Sequence, residues 1–169
     1  MKKITITMLT ITLLTFFSID VMAQTENTDS GAKILAAMTI TETADLDYGT
    51  MTVPETAAEV QISDHGTIAV LSGTITLLSQ APTWHPATFD ITGTANATYS
   101  ITVPNNTAVK LTGAGTDMPI INFATSRGGS STLDGSGDDF FSVGGTLQLE
   151  NGQAAGTYTG TFDISVAYN

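Results

Sequence analysis

The sequence predicts an all-β protein, an Ig-like antiparallel β-sandwich of about seven to nine strands. Three observations lead to this fold class. Short apolar or alternating runs recur along the chain, Gly, Asn and Asp separate them, and Thr is abundant within them. After the first 23 residues, no window repeats apolar residues at the i, i+3, i+4, i+7 spacing of an amphipathic helix. We therefore expect a single β-sandwich domain over residues 34–169.

The first 23 residues have the pattern of a secretory signal peptide. The positive pair Lys2-Lys3 precedes an apolar run at 4–19, and small residues within 21–23 offer a cleavage site. The alternative is a membrane anchor, but the run is shorter than the ~20 residues that span a bilayer, and Asp20 interrupts its end. We expect an exported bacterial protein, periplasmic, secreted or at the cell surface, with a flexible polar segment at 24–33.

Composition narrows the partners of the mature chain. The sequence has no Cys, which excludes disulfides, thiolate metal sites and the lipid-modified cysteine of a lipoprotein. Without the first 23 residues, Lys33, Lys110 and Arg127 stand against 15 acidic residues, a net charge of −12. That charge opposes binding to nucleic acid and to anionic lipid. We expect neither partner, and no membrane anchor in the mature chain.

The individual strands follow from alternation and from the turn residues between them. The first predicted strand covers 34–43, a β-branched run that 45–49 ends. A hairpin is predicted around the Asp-His-Gly turn at 64–66. The remaining strands are predicted, in chain order, at 60–63, 67–71, 74–78, 87–91, 99–103, 118–123 and 141–149.

The last fourteen residues, 156–169, form the most regular run of the chain. Apolar residues and Gly alternate with Thr, Asp, Ser and Ala, as on a strand with one buried face. One parity contains Tyr158, Gly160, Phe162, Ile164, Val166 and Tyr168. This run is predicted to be the final strand of the sandwich.

Four segments in fixed order carry a family resemblance: 46–49, 87–93 followed by 99–104, 141–147 and 156–162. Together they resemble the bacterial domain-of-unknown-function family numbered four-four-zero-two, over nearly all of the mature chain. The resemblance implies a secreted sandwich similar to spore-coat U-like and pilus-subunit-like proteins, and it implies no activity.

The tail also resembles that of chaperone–usher pilus subunits, which have a Gly fourteenth from the last residue and a penultimate Tyr. Gly156 and Tyr168 occupy those positions here. Pilus subunits often contain a disulfide, whereas this chain has no Cys.

This resemblance suggests assembly by strand complementation, in which the N-terminal extension of one subunit fills a groove beside the last strand of another. The candidate assembly strand consists of Gly156, Tyr158, Phe162, Ile164, Val166 and Tyr168. The candidate donor residues, on one parity, are Ile34, Ala36, Met38 and Ile40. The alternative is that 34–43 completes the sheet of its own chain.

Three other features are candidates for ligand binding. The acidic run 134–139 has oxygen ligands of the kind that Ca²⁺ prefers, although an acidic, solvated turn is the competing interpretation. His65 and His85 are too few for a zinc site without Cys. Trp84 either stacks on a sugar or caps the end of the core. The chain has no nucleophile elbow and no phosphate loop, so we expect no enzyme, no cofactor and no catalytic or metal residue.

We therefore expect a secreted structural or adhesive cell-surface protein, in its sharper form a fimbrial-type subunit that pairs with itself or with other surface subunits. The alternative is a monomeric extracytoplasmic module that binds a glycan or calcium.

Overall fold

Antiparallel strands make up the regular structure of the described chain. The computed structural model describes residues 29–78, 84–105 and 109–169, and these contain ten strands and no helix. The predicted signal peptide at 1–23 and the start of the flexible segment, 24–28, lie outside the described residues. The strands are β1 (Thr39–Ala44), β2 (Ala58–Ile62), β3 (Ile68–Ser72), β4 (Ala87–Thr92), β5 (Thr98–Thr102), β6 (Lys110–Leu111), β7 (Met118–Thr125), β8 (Ser130–Thr132), β9 (Asp138–Leu149) and β10 (Ser165–Tyr168).

These strands form two antiparallel sheets. In the larger sheet the order is β1-β4-β9-β2-β3, with β7 also paired to β9 and β6 paired to β7. In the smaller sheet the order is β10-β5-β8. The predicted all-β antiparallel sandwich is confirmed, and the short strands β6 and β8 raise the number of strands above the predicted range.

A shared apolar cluster joins the two sheets. Phe89 of β4 stacks on Phe141 of β9 with ring centroids 5.4 Å apart. Tyr99 and Ile101 of β5 contribute to the same cluster from the smaller sheet. We call this the second core cluster; its buried members are Ala87, Phe89, Ile91, Tyr99, Ile101, Leu133, Phe141 and Val143. Because both sheets bury their inner faces here, the cluster holds the sandwich together.

The first core cluster fills the other end of the larger sheet. Its buried members are Tyr48, Val60, Ile62, Val109, Met118, Ile120, Leu147 and Leu149. Gly145 makes room for it, because a Cβ there would lie 2.9 Å from Ile120 Cγ2 and 3.3 Å from the Tyr48 hydroxyl. Burial raises the pKa of that hydroxyl above its ordinary value.

The long strand β9 belongs to both clusters. Its first half pairs with β4, its second half pairs with β2, and β7 pairs with its middle. Phe141 and Val143 enter the second cluster, while Leu147 and Leu149 enter the first. The shared parity predicted for these four residues therefore corresponds to one continuous buried face.

Two predicted strands are shorter than expected or absent. The run 34–43 enters the ladder only at Thr39, which pairs with Thr92, the last residue of β4. The run 74–78 makes an isolated bridge from Leu77 to Met51 and no continuous strand. The predicted hairpin at 64–66 is present, with Gly66 at a φ of 80° where the absence of a side chain is favourable.

The predicted final strand is also shorter than its alternation suggests. Only Ser165–Tyr168 forms a ladder, with β5, and Thr159 makes an isolated bridge to Thr112. The ladder begins where Ser165 faces Thr102. One step further along β5 the chain approaches Pro104, which has no N–H to donate, so the ladder stops there.

Candidate functional site

The candidate donor segment lies in the sheet of its own chain. β1 pairs with β4 and, among the described residues, with no other strand. Met38 and Ile40 are half-buried and pack against the second core cluster, and Ile40 faces Ile91. Ile34 lies before the strand and is 92% exposed. This is the arrangement that the self-completing alternative expects, and exchange of the segment between chains stays a prediction.

The alternation of the tail continues beyond its short ladder. Phe162, Ile164, Val166 and Tyr168 are half-buried and turn toward the second core cluster, whereas the residues between them are exposed. The Phe162 ring lies 5.1 Å from that of Phe123 in β7. The tail therefore anchors itself by its apolar side chains even where it lacks strand partners.

The penultimate Tyr168 touches the candidate donor segment directly. Its hydroxyl donates to the Ala36 carbonyl at 3.0 Å and accepts from the Thr94 N–H at 2.7 Å. The Ala36 N–H in turn donates to Thr94 Oγ1 at 2.7 Å. Two features that the sequence suggested separately, the penultimate Tyr and the N-terminal segment, thus meet beside the turn between β4 and β5.

Gly93 provides the space for the contact between Tyr168 and the N-terminal segment. A Cβ at this position would overlap the Tyr168 hydroxyl and would lie 2.9 Å from Leu133 Cδ1. Neither Gly93 nor Thr94 stands out in the sequence. Nothing in a single Gly-Thr pair indicates contact with residues far away in the chain.

Gly156 and Tyr158 lie at the other end of the tail, where Tyr158 fastens a loop. Its hydroxyl donates to the Ala154 carbonyl at 2.8 Å and accepts from Gln153 Nε2 at 3.0 Å. Gln153 Nε2 also donates to the Thr116 carbonyl at 2.5 Å. Gly156 is exposed in the same loop.

Between the segments 45–54 and 153–160 lies a cleft of about 650 Å³. Its floor is apolar, with Leu147 and Leu149 of β9. Tyr48 and Gln153 also line it, and each carries a buried polar atom, the hydroxyl and Oε1, without a hydrogen-bond partner among the described residues. A buried polar atom left unpaired costs roughly 1–3 kcal/mol. Both atoms are closed off from solvent, so an occupant of the cleft would reach them only if the lining moved.

Asp139 forms a polar network that connects the sheets. Its Oδ2 accepts from Ser131 Oγ at 2.6 Å and from the Tyr99 hydroxyl at 3.0 Å. Its Oδ1 accepts from Arg127 Nη2 at 2.5 Å and from the Phe140 N–H at 2.8 Å. Burial alone raises the pKa of Asp139, but these hydrogen bonds and the Arg127 charge outweigh it and hold the pKa below its ordinary value. Burial, together with the hydrogen bond to Asp139 and its negative charge, raises the pKa of Tyr99 to about 12.

The acidic run 134–139 is a tight turn in which one carboxylate is already occupied. Asp134 Oδ1 accepts from the N–H groups of Ser136 at 2.8 Å and Asp138 at 2.9 Å. The backbone bond from Asp138 is the largest of the effects that lower the pKa of Asp134. Across the described residues, no three His, Cys, Asp or Glu side chains lie close enough together to hold a metal ion.

The remaining singled-out residues lie outside the ten strands. His65 Nδ1 lies 2.7 Å from Asp64 Oδ1, and Trp84 is half-buried against the first core cluster. His85 exchanges two backbone hydrogen bonds of 3.0 Å with Asp47. Trp84 therefore packs against a core cluster, whereas His65 bonds to its neighbour in the turn and His85 to the bridge with Asp47.

Comparison with known proteins identifies a family. No curated protein and no solved structure matches the chain. In the part of the chain that the structure describes, no helix is long and apolar enough to cross a bilayer. One family model matches residues 38–168, which begin just before β1 and end with β10. That match covers most of the sequence and includes all ten strands, so the chain belongs to the family described as Domain of unknown function (DUF4402).

Proposed function

We propose that this protein is an exported structural or adhesive protein of the bacterial cell surface, a fimbrial-type subunit whose copies assemble by exchanging β1. Its mechanism is strand pairing and burial of apolar side chains, without chemistry. The partner is a second copy of the chain, or another surface subunit with an equivalent strand.

The observation that carries the proposal is the position of β1 at the edge of the larger sheet. An edge strand can leave without breaking a ladder on its other side. Met38 and Ile40 cover part of the second core cluster, and Ile40 faces the fully buried Ile91. Departure of β1 would expose apolar surface that only an equivalent strand covers equally well. Exchange between copies restores every contact, which makes it a low-cost route to assembly.

A fixed point lies directly after β1. Asp47 is held by two backbone hydrogen bonds of 3.0 Å to His85, and Tyr48 is buried in the first core cluster. The chain between Ala44 and Asp47 is therefore the hinge about which β1 would swing. The sandwich beyond that point keeps its contacts when β1 leaves.

Engineered thiols test the exchange in the full chain. Thr39 and Thr92 face each other across β1 and β4, with their Oγ1 atoms 2.5 Å apart, and the chain has no native Cys. We expect Thr39→Cys protein mixed with Thr92→Cys protein to form a disulfide between chains. The double variant, oxidised as a dilute monomer, should close the bond within one chain and then remain monomeric in size-exclusion chromatography.

The control for this test pairs Thr39→Cys with Thr132→Cys on the smaller sheet, which forms no ladder with β1. That mixture should give only background cross-linking. A Thr39–Thr92 mixture that remains at the same background level would contradict assembly by strand exchange.

The cleft supports a second candidate, a monomeric extracytoplasmic module that binds a neutral glycan. Its charged lining residues are Asp45 and Asp47, and its lining also includes Thr50, Thr52, Thr157 and Thr159. Hydroxyl-rich ligands suit acceptors and hydroxyls above an apolar floor. A panel of soluble oligosaccharides that raises the melting temperature of a monomeric protein would favour this function over assembly.

A further inference from the structure

The contact between Tyr168 and Ala36 lies just beyond the end of the β1–β4 ladder. β4 ends at Thr92, so residues before Thr39 have no strand beside them. Ala36 nevertheless has both of its backbone polar groups paired, its N–H with Thr94 Oγ1 and its carbonyl with the Tyr168 hydroxyl. Thr94 and Tyr168 are also bonded to each other, since the Thr94 N–H donates to the Tyr168 hydroxyl.

We propose that Gly93, Thr94 and Tyr168 form a latch that holds the main chain at residue 36 and controls how fast β1 leaves its sheet. The latch contacts backbone atoms of Ala36 and not its side chain. Gly93 provides the space for the Tyr168 hydroxyl, because any side chain there would overlap it. In an assembled pair the same three residues would hold residue 36 of the second copy, a step that rests on the proposed function.

A latch of this kind changes how readily β1 opens, but it does not change the balance between β1 in its own sheet and β1 in that of a copy. The same bonds to residue 36 are present when β1 occupies its own sheet and when it occupies that of a copy. Removing one of them weakens both states equally, so the balance between them does not move. Opening, however, requires the bonds to break, and the loss of one hydrogen bond should speed opening roughly two- to tenfold.

Tyr168→Phe removes the hydroxyl and keeps the ring, and hydrogen exchange of the full-length monomer tests its effect. We expect the amide hydrogens of β1 to exchange roughly two- to tenfold faster, while those of β9 do not change. Thr94→Val, which removes the acceptor for the Ala36 N–H, should have a similar effect. The matched control is Tyr158→Phe, which loses hydroxyl bonds to Ala154 and Gln153 at the other end of the tail.

Unchanged amide hydrogen exchange of β1 in both Tyr168→Phe and Thr94→Val would overturn the latch. If the amide hydrogens of β1 exchanged faster by the same factor in Tyr158→Phe, the latch would be overturned as well, because the effect would then reflect a general loss of stability. Adding Tyr168→Phe to the mixed Thr39→Cys and Thr92→Cys chains should quicken the interchain disulfide without raising its final yield. If no interchain disulfide forms but the amide hydrogens of β1 still exchange faster in Tyr168→Phe, the latch stands within one chain and the proposed assembly fails.

Discussion

Replacement of Asp139 by Asn should destabilise the sandwich by about 2–4 kcal/mol at neutral pH. The carboxylate is 7% exposed and accepts four hydrogen bonds through two oxygens. An amide has one oxygen, so at least two of the four donors lose their acceptor. Hydrogen bonds to a charged group contribute roughly 1.5–3 kcal/mol each. The expected total is smaller than the sum for two such bonds, because Arg127, at 39% exposure, regains water.

The destabilisation should depend on pH in a defined direction. The folded-state pKa of Asp139 lies below its ordinary value of 3.8. Its ionised form therefore contributes stability that is fully present above the unfolded pKa and is lost as pH falls through the folded pKa. The difference in unfolding free energy between wild type and Asp139→Asn should be constant above about pH 5 and should shrink below about pH 4.

Urea unfolding of both proteins from pH 7 to about pH 2 measures this difference. Asp138→Asn is the matched control, because Asp138 is exposed on the same strand and its replacement should cost less than about 0.5 kcal/mol. A difference below about 1 kcal/mol at pH 7, or one that persists at the lowest pH, would refute the assignment of the network.

Three further outcomes follow from packing and from the acidic turn at 134–139. Gly145→Ala should cost about 1–3 kcal/mol of unfolding free energy, because its Cβ would press on Ile120 and Tyr48; a cost near zero would show that the cluster has room. Phe162→Ala should cost about 2–3 kcal/mol through the lost contact with Phe123, measured by urea unfolding. Millimolar calcium should leave the melting temperature unchanged, since one carboxylate of the turn already accepts two backbone N–H groups; a rise of several degrees would restore the calcium hypothesis.

Alternation predicted the buried faces better than it predicted the extent of the strands. The parity of Phe162, Ile164, Val166 and Tyr168 matches the half-buried face of the tail, because side-chain direction follows from local backbone geometry. The length of a ladder depends instead on the partner strand. The tail pairs only as far as β5 extends before Pro104, a limit that lies some sixty residues away in sequence.

The contacts that define the candidate site were the least accessible to sequence reasoning. The sequence indicated Ala36 and Tyr168 as members of two separate patterns, yet their hydrogen bond spans 132 residues. Gly93 and Thr94 resemble any strand end followed by a turn. Such a contact depends on the fold that brings two edges together, and no local pattern encodes it.

The central position of β9 also determines the order in which the chain can fold. In β2, Ile62 pairs with Gly145 and Ala58 pairs with Leu149 of β9. The strands β4 and β7 also pair with β9, which follows all three in the chain. A newly made chain therefore carries apolar strands without their common partner until residue 149 is available. Pairings this distant close slowly, and unpaired strands are prone to aggregate in the meantime. A holding chaperone that covers these strands before β9 is available would protect the protein while aggregation competes most strongly with folding.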